Sequence, residues 1–145
     1  MIDKYFIDTN ILVYLFSEIE IEKSDKCSDI LNQLSNHVQF VLSTQVINEF
    51  SNVSISKFHK DATEVKSIID ILSEFEIVIN DVDIIKKGID IKFKYQLSFW
   101  DSLIVSAAKS AKCNIILSED LQDGQVIEGV KIQNPFIHDL INSKI

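Results

Sequence analysis

Four short apolar runs punctuate the chain: Tyr5-Phe6-Ile7, Gln39-Phe40-Val41-Leu42, Ile77-Val78-Ile79 and Asn114-Ile115-Ile116-Leu117. Between them lie longer stretches whose apolar residues recur at helical spacing. Runs this short, apolar throughout, suit strands buried on both faces, and strands alternating with helices pair in parallel. The pattern predicts one α/β domain over residues 1–145, with Lys131-Ile132-Gln133 as a short fifth strand. Only three Gly and one Pro argue against a hairpin-rich all-β architecture.

The helices are placed by their stripes and caps. Ile11–Phe16 is short. Ser24–Asn36 carries Cys27, Ile30, Leu31 and Leu34 on one face. Ser43-Thr44 caps a helix with Val46, Ile47, Phe50 and Val53 inward, and Asp61-Ala62-Thr63-Glu64 has capping-box form. The helix behind that box has Val65, Ile68, Ile69, Leu72 and Phe75 as its stripe. Asp81 or Asp83 opens a helix to Tyr95, with Ile84, Ile85, Ile89 and Phe93 apolar, and a last helix runs from Phe99 to about Lys112. Gly124 and Gly129 mark turns.

Fourteen basic residues against 22 acidic leave a net charge of −8. That balance argues against a nonspecific nucleic-acid coat protein, whose affinity rests on neutralising phosphates. A nuclease whose acids hold metal ions stays open, because the metal supplies local positive charge. Cys27 and Cys113 lack zinc or CxxC spacing and read as reduced core thiols. There is no secretory signal and no apolar run near the roughly 20 residues that span a bilayer, so a soluble cytoplasmic protein is expected, with no membrane partner.

Four acids stand where carboxylates need a reason. Asp8 follows the first strand directly; it caps the next helix or enters a site at the carboxyl end of the sheet. Glu49 falls on the stripe of Val46 and Val53, where an ionised carboxylate is costly unless paired; alternatively it lies at the stripe's edge, reaching water or Lys57. Asp101 shares a face with Ile104, Val105 and Ala108, and Ser98-x-x-Asp101 also has capping-box form; its neighbour Trp100 is expected in the core. Asp120 follows the fourth strand as Asp8 follows the first, with Glu119 equally able to point inward. Together these acids would raise each other's pKa, and hard divalent cations with oxygen ligands relieve that repulsion. Asp8 is then a ligand, and Asn10 the better cap.

These residues resemble known motifs. Ile7-Asp8-Thr9-Asn10, Ile47-Asn48-Glu49-Phe50 and Phe99-Trp100-Asp101-Ser102-Leu103-Ile104 resemble, in this order, motifs of the PIN-domain family. Ser118-Glu119-Asp120-Leu121 with Gly124-Gln125, and Asn134-Pro135-Phe136, look like the C-terminal end of its VapC-type toxins. The resemblance runs from residue 5 to residue 136. It implies a three-layer α/β/α fold with a central parallel sheet of four to five strands. It also implies a Mg²⁺- or Mn²⁺-dependent endoribonuclease, the toxin of a type II toxin–antitoxin system. Such a protein forms a homodimer, and an antitoxin covers its acidic site.

Carried over by position, Asp8 and Asp101 are principal metal ligands, Glu49 ligates the metal or its water, and Asp120 completes the cluster. Thr9, Asn10 and Ser118 orient carboxylates or substrate, while Glu119 and Asp123 remain alternatives to Asp120. The implied reaction is in-line hydrolysis of an RNA phosphodiester by metal-activated water, without a His, Ser or Cys nucleophile. His37, His59 and His138 have no ligand spacing and read as surface residues. Lys57, Lys60, Lys92, Lys94, Lys109 and Lys112 are candidates to meet RNA phosphates, although none forms a basic stripe and solvated helix faces suit each of them.

Three other readings compete. An aspartyl-phosphate enzyme would use Asp8 as nucleophile, but the second acid it wants two residues on is Asn10. A non-catalytic module would keep the acids for docking a basic partner. A PIN nuclease of RNA processing would work outside toxin–antitoxin systems.

Overall fold

A computed structural model of the protein describes residues 2–137; His138 lies outside the described residues. Among these residues the order is β1 (Asp3–Ile7), α1 (Thr9–Leu15), α2 (Ile21–Leu34), β2 (Val38–Ser43), α3 (Thr44–Ser56), α4 (Ala62–Leu72) and β3 (Glu76–Val78). There follow α5 (Val82–Tyr95), α6 (Phe99–Ser110), β4 (Ile115–Leu117), β5 (Val126–Ile127) and β6 (Val130–Gln133). The strands form one sheet in the order β3-β2-β1-β4-β6-β5, parallel except for the β5–β6 pair.

β1 lies inside the sheet because its side chains leave no face for water. Tyr5, Phe6 and Ile7 are 2%, 0% and 0% exposed, and successive strand residues point to opposite faces, so apolar layers cover the sheet on both sides. This is the predicted α/β architecture, with a sixth strand added. From β1 the chain builds outward to β2 and β3, then returns to the other flank of β1 with β4. The reversal leaves a crevice between the carboxyl ends of β1 and β4, where ligands bind in sheets of this kind. Ile7 pairs with Leu117, and Asp8 N donates to Leu117 O at 3.0 Å, so Asp8 and Ser118 leave the sheet side by side.

Local chemistry sets the helix starts. Ser43, Asp61, Asp81 and Ser98 each accept from a backbone N–H three residues on. The α5 stripe differs from the expected one: Ile84, Gly88 and Ile91 are buried, while Ile89 and Phe93 are exposed. Gly88 sets this face, since a Cβ there would stand 2.9 Å from Leu103 Cδ2 of α6. Gly88→Val should therefore lower stability by about 2 kcal/mol through overpacking, read as a fall in the urea midpoint at unchanged slope.

The two cysteines are buried and free, and burial pushes their thiols up to about 11 at Cys27 and about 12 at Cys113. His37 and His59 are exposed. Among the described residues no helix is long and apolar enough to cross a membrane.

Candidate functional site

Asp8 sits at the floor of the β1–β4 crevice, 8% exposed. It is the N-cap of α1: Oδ1 accepts from Thr9 N at 2.8 Å. Oδ2 accepts from Ser118 Oγ at 2.7 Å and Asn10 Nδ2 at 3.2 Å. Every one of these donors is neutral. Burial is the largest influence on the carboxyl and raises it from 3.8 to about 6. The Ser118 and Thr9 bonds pull it down, and the negative charges of Glu49 and Asp120 push it further up. The site thus holds a desolvated acid, two more acids bearing on it, and no cation among its bonded partners.

Asn10 is the hub, not the cap. Its Nδ2 donates to Asp8 and, at 3.1 Å, to Asp120 Oδ2, with a longer approach of 3.4 Å to Ser118 Oγ; its Oδ1 accepts from Glu119 N at 3.0 Å. One amide therefore spaces two carboxylates and anchors the backbone between them. Ser118, fully buried, donates to Asp8 while its oxygen accepts from Asp120 N and Leu121 N, each at 3.2 Å. Thr9 contributes its backbone N–H; its buried Oγ1 has no hydrogen-bond partner.

The remaining acids separate clearly. Asp120 is exposed and aligned by Asn10 toward Asp8. Glu119 points the other way: its Oε1 accepts from Tyr14 Oη at 2.5 Å and its Oε2 from Lys23 Nζ at 2.8 Å. Burial alone would raise the Glu119 carboxyl, but the Lys23 and Tyr14 bonds and the lysine's charge outweigh it and hold the group below its usual range. Asp123 accepts from Asn134 N at 2.8 Å, joining the loop after β4 to the chain beyond β6.

Glu49 is exposed, which corrects its expected place on a buried stripe: α3 buries Gln45, Val46, Phe50 and Ser54, and Glu49 stands at the edge of that face. Asp101 is half-buried in the first turn of α6, where Ser98 Oγ accepts from its backbone N–H at 3.0 Å. The negative charges that push the Asp8 carboxyl up are those of Glu49 and Asp120. Among the described residues no three His, Cys, Asp or Glu side chains are close enough together to encircle one ion.

Two other features of this edge differ from or escape the sequence reading. Trp100 is 62% exposed and packs edge-on against Phe99, so it is not a core residue. Gln45 is 8% exposed, and its Nε2 donates to Trp100 O at 3.1 Å, tying the start of the Glu49 helix to the start of the Asp101 helix. No sequence signal marks Gln45, because its partner is a backbone carbonyl 55 residues away. Of the lysines considered for phosphate contact, Lys94 and Lys109 pair with Glu128 and Lys60 pairs with Glu64.

Known proteins share this arrangement of chain. The toxin–antitoxin complex from Klebsiella pneumoniae contains a chain of which this fold covers 97%, matching 90% of the present chain at a TM-score of 0.69 and 23% identity. VapBC2 from Rickettsia felis, solved bound to a DNA fragment from its promoter, matches 90% of this chain and 98% of its own, with a TM-score of 0.69 and 22% identity. VapC20 of Mycobacterium tuberculosis, a toxin that cleaves the sarcin–ricin loop, matches 80% of this chain and 91% of its own, with a TM-score of 0.63 and 12% identity. No curated protein matches the chain significantly by sequence. The sequence pattern of the PIN domain matches residues 5–122, a span that holds Asp8, Glu49, Asp101 and Asp120, and the chain belongs to the PIN domain family.

Proposed function

We propose that the protein is a divalent-metal-dependent endoribonuclease and the toxin of a type II toxin–antitoxin pair. The observation that carries this reading is Asp8, a buried carboxylate raised to about 6, with two further acids bearing on it and only neutral groups bonded to it. A cluster of that kind is relieved by a hard cation, and its donors are all oxygens, as Mg²⁺ and Mn²⁺ prefer. The buried, unpartnered Thr9 Oγ1 adds another oxygen at the same edge. The residues present therefore fit a divalent ion in chemistry. Mg²⁺ keeps several waters and uses one or two carboxylates, so a site short of three converging acids suits it.

Asp8 and Asp101 would be the principal ligands of the ion, with Glu49 reaching it directly or through water and Asp120 completing the cluster. When bound, a divalent ion supplies Lewis acidity toward water and phosphate oxygen. The protein's own part is orientation: Ser118 and Thr9 leave Asp8 one fixed rotamer, and Asn10 keeps Asp120 turned toward it. Phosphodiester hydrolysis follows from such a site, and RNA as substrate is favoured by the cleavage recorded for the similar VapC20 toxin. The toxin role and an antitoxin partner are favoured by the toxin–antitoxin complexes that share the fold, and a homodimer is what the family resemblance implies.

The test uses the full chain purified free of partners. Cleavage of RNA should require Mg²⁺ or Mn²⁺, stop in EDTA, and return when the ion is restored. Undiminished cleavage in EDTA would overturn the metal-dependent reading. If the chain is a toxin, a small protein encoded beside it should suppress cleavage on co-expression; cleavage untouched by any such neighbour would place the nuclease outside toxin–antitoxin systems.

A further inference from the structure

The Tyr14, Lys23 and Glu119 group lies beside the acidic crevice without entering it. Asn10 and Tyr14 are four residues apart in α1, so they share one helix face. Both grip the same residue of the loop after β4: Asn10 Oδ1 takes the Glu119 N–H at 3.0 Å, and Tyr14 donates to the Glu119 carboxylate. Lys23 of α2 closes the group. Its Nζ bonds Glu119 at 2.8 Å and Tyr14 Oη at 3.1 Å, and lies 4.4 Å from the Tyr14 ring centroid and 5.1 Å from that of Phe136. Tyr14 and Phe136 meet edge-on at 5.4 Å.

Glu119 is thus held at both its backbone and its side chain. The next residue is Asp120, whose carboxylate reaches Asn10 Nδ2. A free loop residue has many orientations; one pinned on both sides leaves its neighbour few. We propose that Tyr14 and Lys23 are positioning residues that act through Glu119 to set the Asp120 carboxylate against Asn10 and Asp8, and so set the affinity of the site for a divalent ion. This rests on the metal-dependent reading above. Outer partners of metal ligands are worth about 10–100-fold in affinity or activity.

The test measures Mn²⁺ binding by calorimetry, RNA cleavage, and amide exchange at Glu119 and Asp120 in metal-free protein. Glu119→Gln and Lys23→Met should weaken Mn²⁺ binding about tenfold and lower kcat while KM for RNA holds. Lys23→Arg should restore both to within about twofold, since it can bond the same carboxylate. Exchange at the two amides should quicken in the weakened variants, with the thermal midpoint in EDTA little changed. Wild-type Mn²⁺ affinity and wild-type exchange in Glu119→Gln would overturn the clamp. Were the wild-type protein itself to ignore Mn²⁺, the metal reading would fail, and the exchange data would still decide whether the clamp orders the loop.

Discussion

Asp8→Asn should abolish metal-dependent RNA cleavage while leaving the metal-free protein more stable at neutral pH. The two effects have one origin. Asp8 is a carboxylate held in a buried crevice for charge, and the fold is weakened by holding it. Its rise from 3.8 to about 6 corresponds to roughly 3 kcal/mol. The sign follows from proton binding: between pH 4 and 6 the folded protein holds this proton more tightly than the unfolded chain does. Stability from this group therefore falls as pH rises through that window, and the full cost is present above about pH 6.

Asparagine removes the charge and keeps the cap, since its side-chain oxygen can still accept from Thr9 N, and Asn and Asp cap equally well. The new amide nitrogen replaces the oxygen that accepted from Ser118 Oγ and Asn10 Nδ2. Ser118 Oγ already accepts two backbone N–H groups, so those two bonds are lost, while Asn10 retains Asp120. A gain of about 1 kcal/mol at pH 7.5 is expected after allowing for those two hydrogen bonds, and it is lost as pH falls toward 4. Losing a ligand at a site worth several kcal/mol of charge stabilisation implies a cleavage rate down by on the order of 10³-fold. Thermal unfolding with and without Mn²⁺ checks both halves: the ion should raise the midpoint of the wild type and not of the variant. A variant that is less stable without metal and still cleaves RNA would remove Asp8 from the site.

How much of this was legible in the sequence depends on how far each residue's partners lie along the chain. β1 was readable because Tyr5, Phe6 and Ile7 are buried alike, and four of the six strands show as apolar runs. β5 was hidden: it has two residues, too few for any period, and its turn to β6 is Glu128-Gly129 with φ of 51° and 82°. That is a type I′ pattern, which usually announces itself as Asn-Gly or Asp-Gly. The hub role of Asn10 was hidden as well, because its bond to Asp120 joins residues 110 apart. The sequence suggested a cap there, and Asp8 is the cap and the buried acid at once.

Glu49 and Trp100 show the opposite error, in which a local rule is pressed too far. In projection along α3 Glu49 falls between Gln45 and Val46, both buried, and it is still exposed, because helical spacing alone does not say where a face runs off the core. Trp100 is the second residue of α6, at an end where the helix projects past the core, so its ring meets solvent despite its size. The acids were found by type and order; which of them converge was set by strand register and by neutral side chains that carry no motif.

Asp101→Asn should cost at least about 100-fold in cleavage, with the fold nearly untouched. Ser98 caps α6 by accepting from the Asp101 backbone N–H, and that bond survives any side chain at 101. Loss of a negative charge from the first helical turn costs about 0.3–1 kcal/mol. Ser98→Ala is the counterpart: it should cost about 1 kcal/mol of stability and leave the Asp101 carboxylate in place. The structural and chemical roles of this helix start can therefore be separated by two variants. Gln45 anchors the α6 start to the Glu49 helix through Trp100 O, which ties the first turn that carries Asp101 to the helix that carries Glu49. In the proposed site Asp101 would supply a further carboxylate to a divalent ion. Cleavage kinetics and urea unfolding on the two variants decide it. Asp101→Asn at wild-type activity would confine the chemistry to the Asp8, Glu49 and Asp120 side of the crevice.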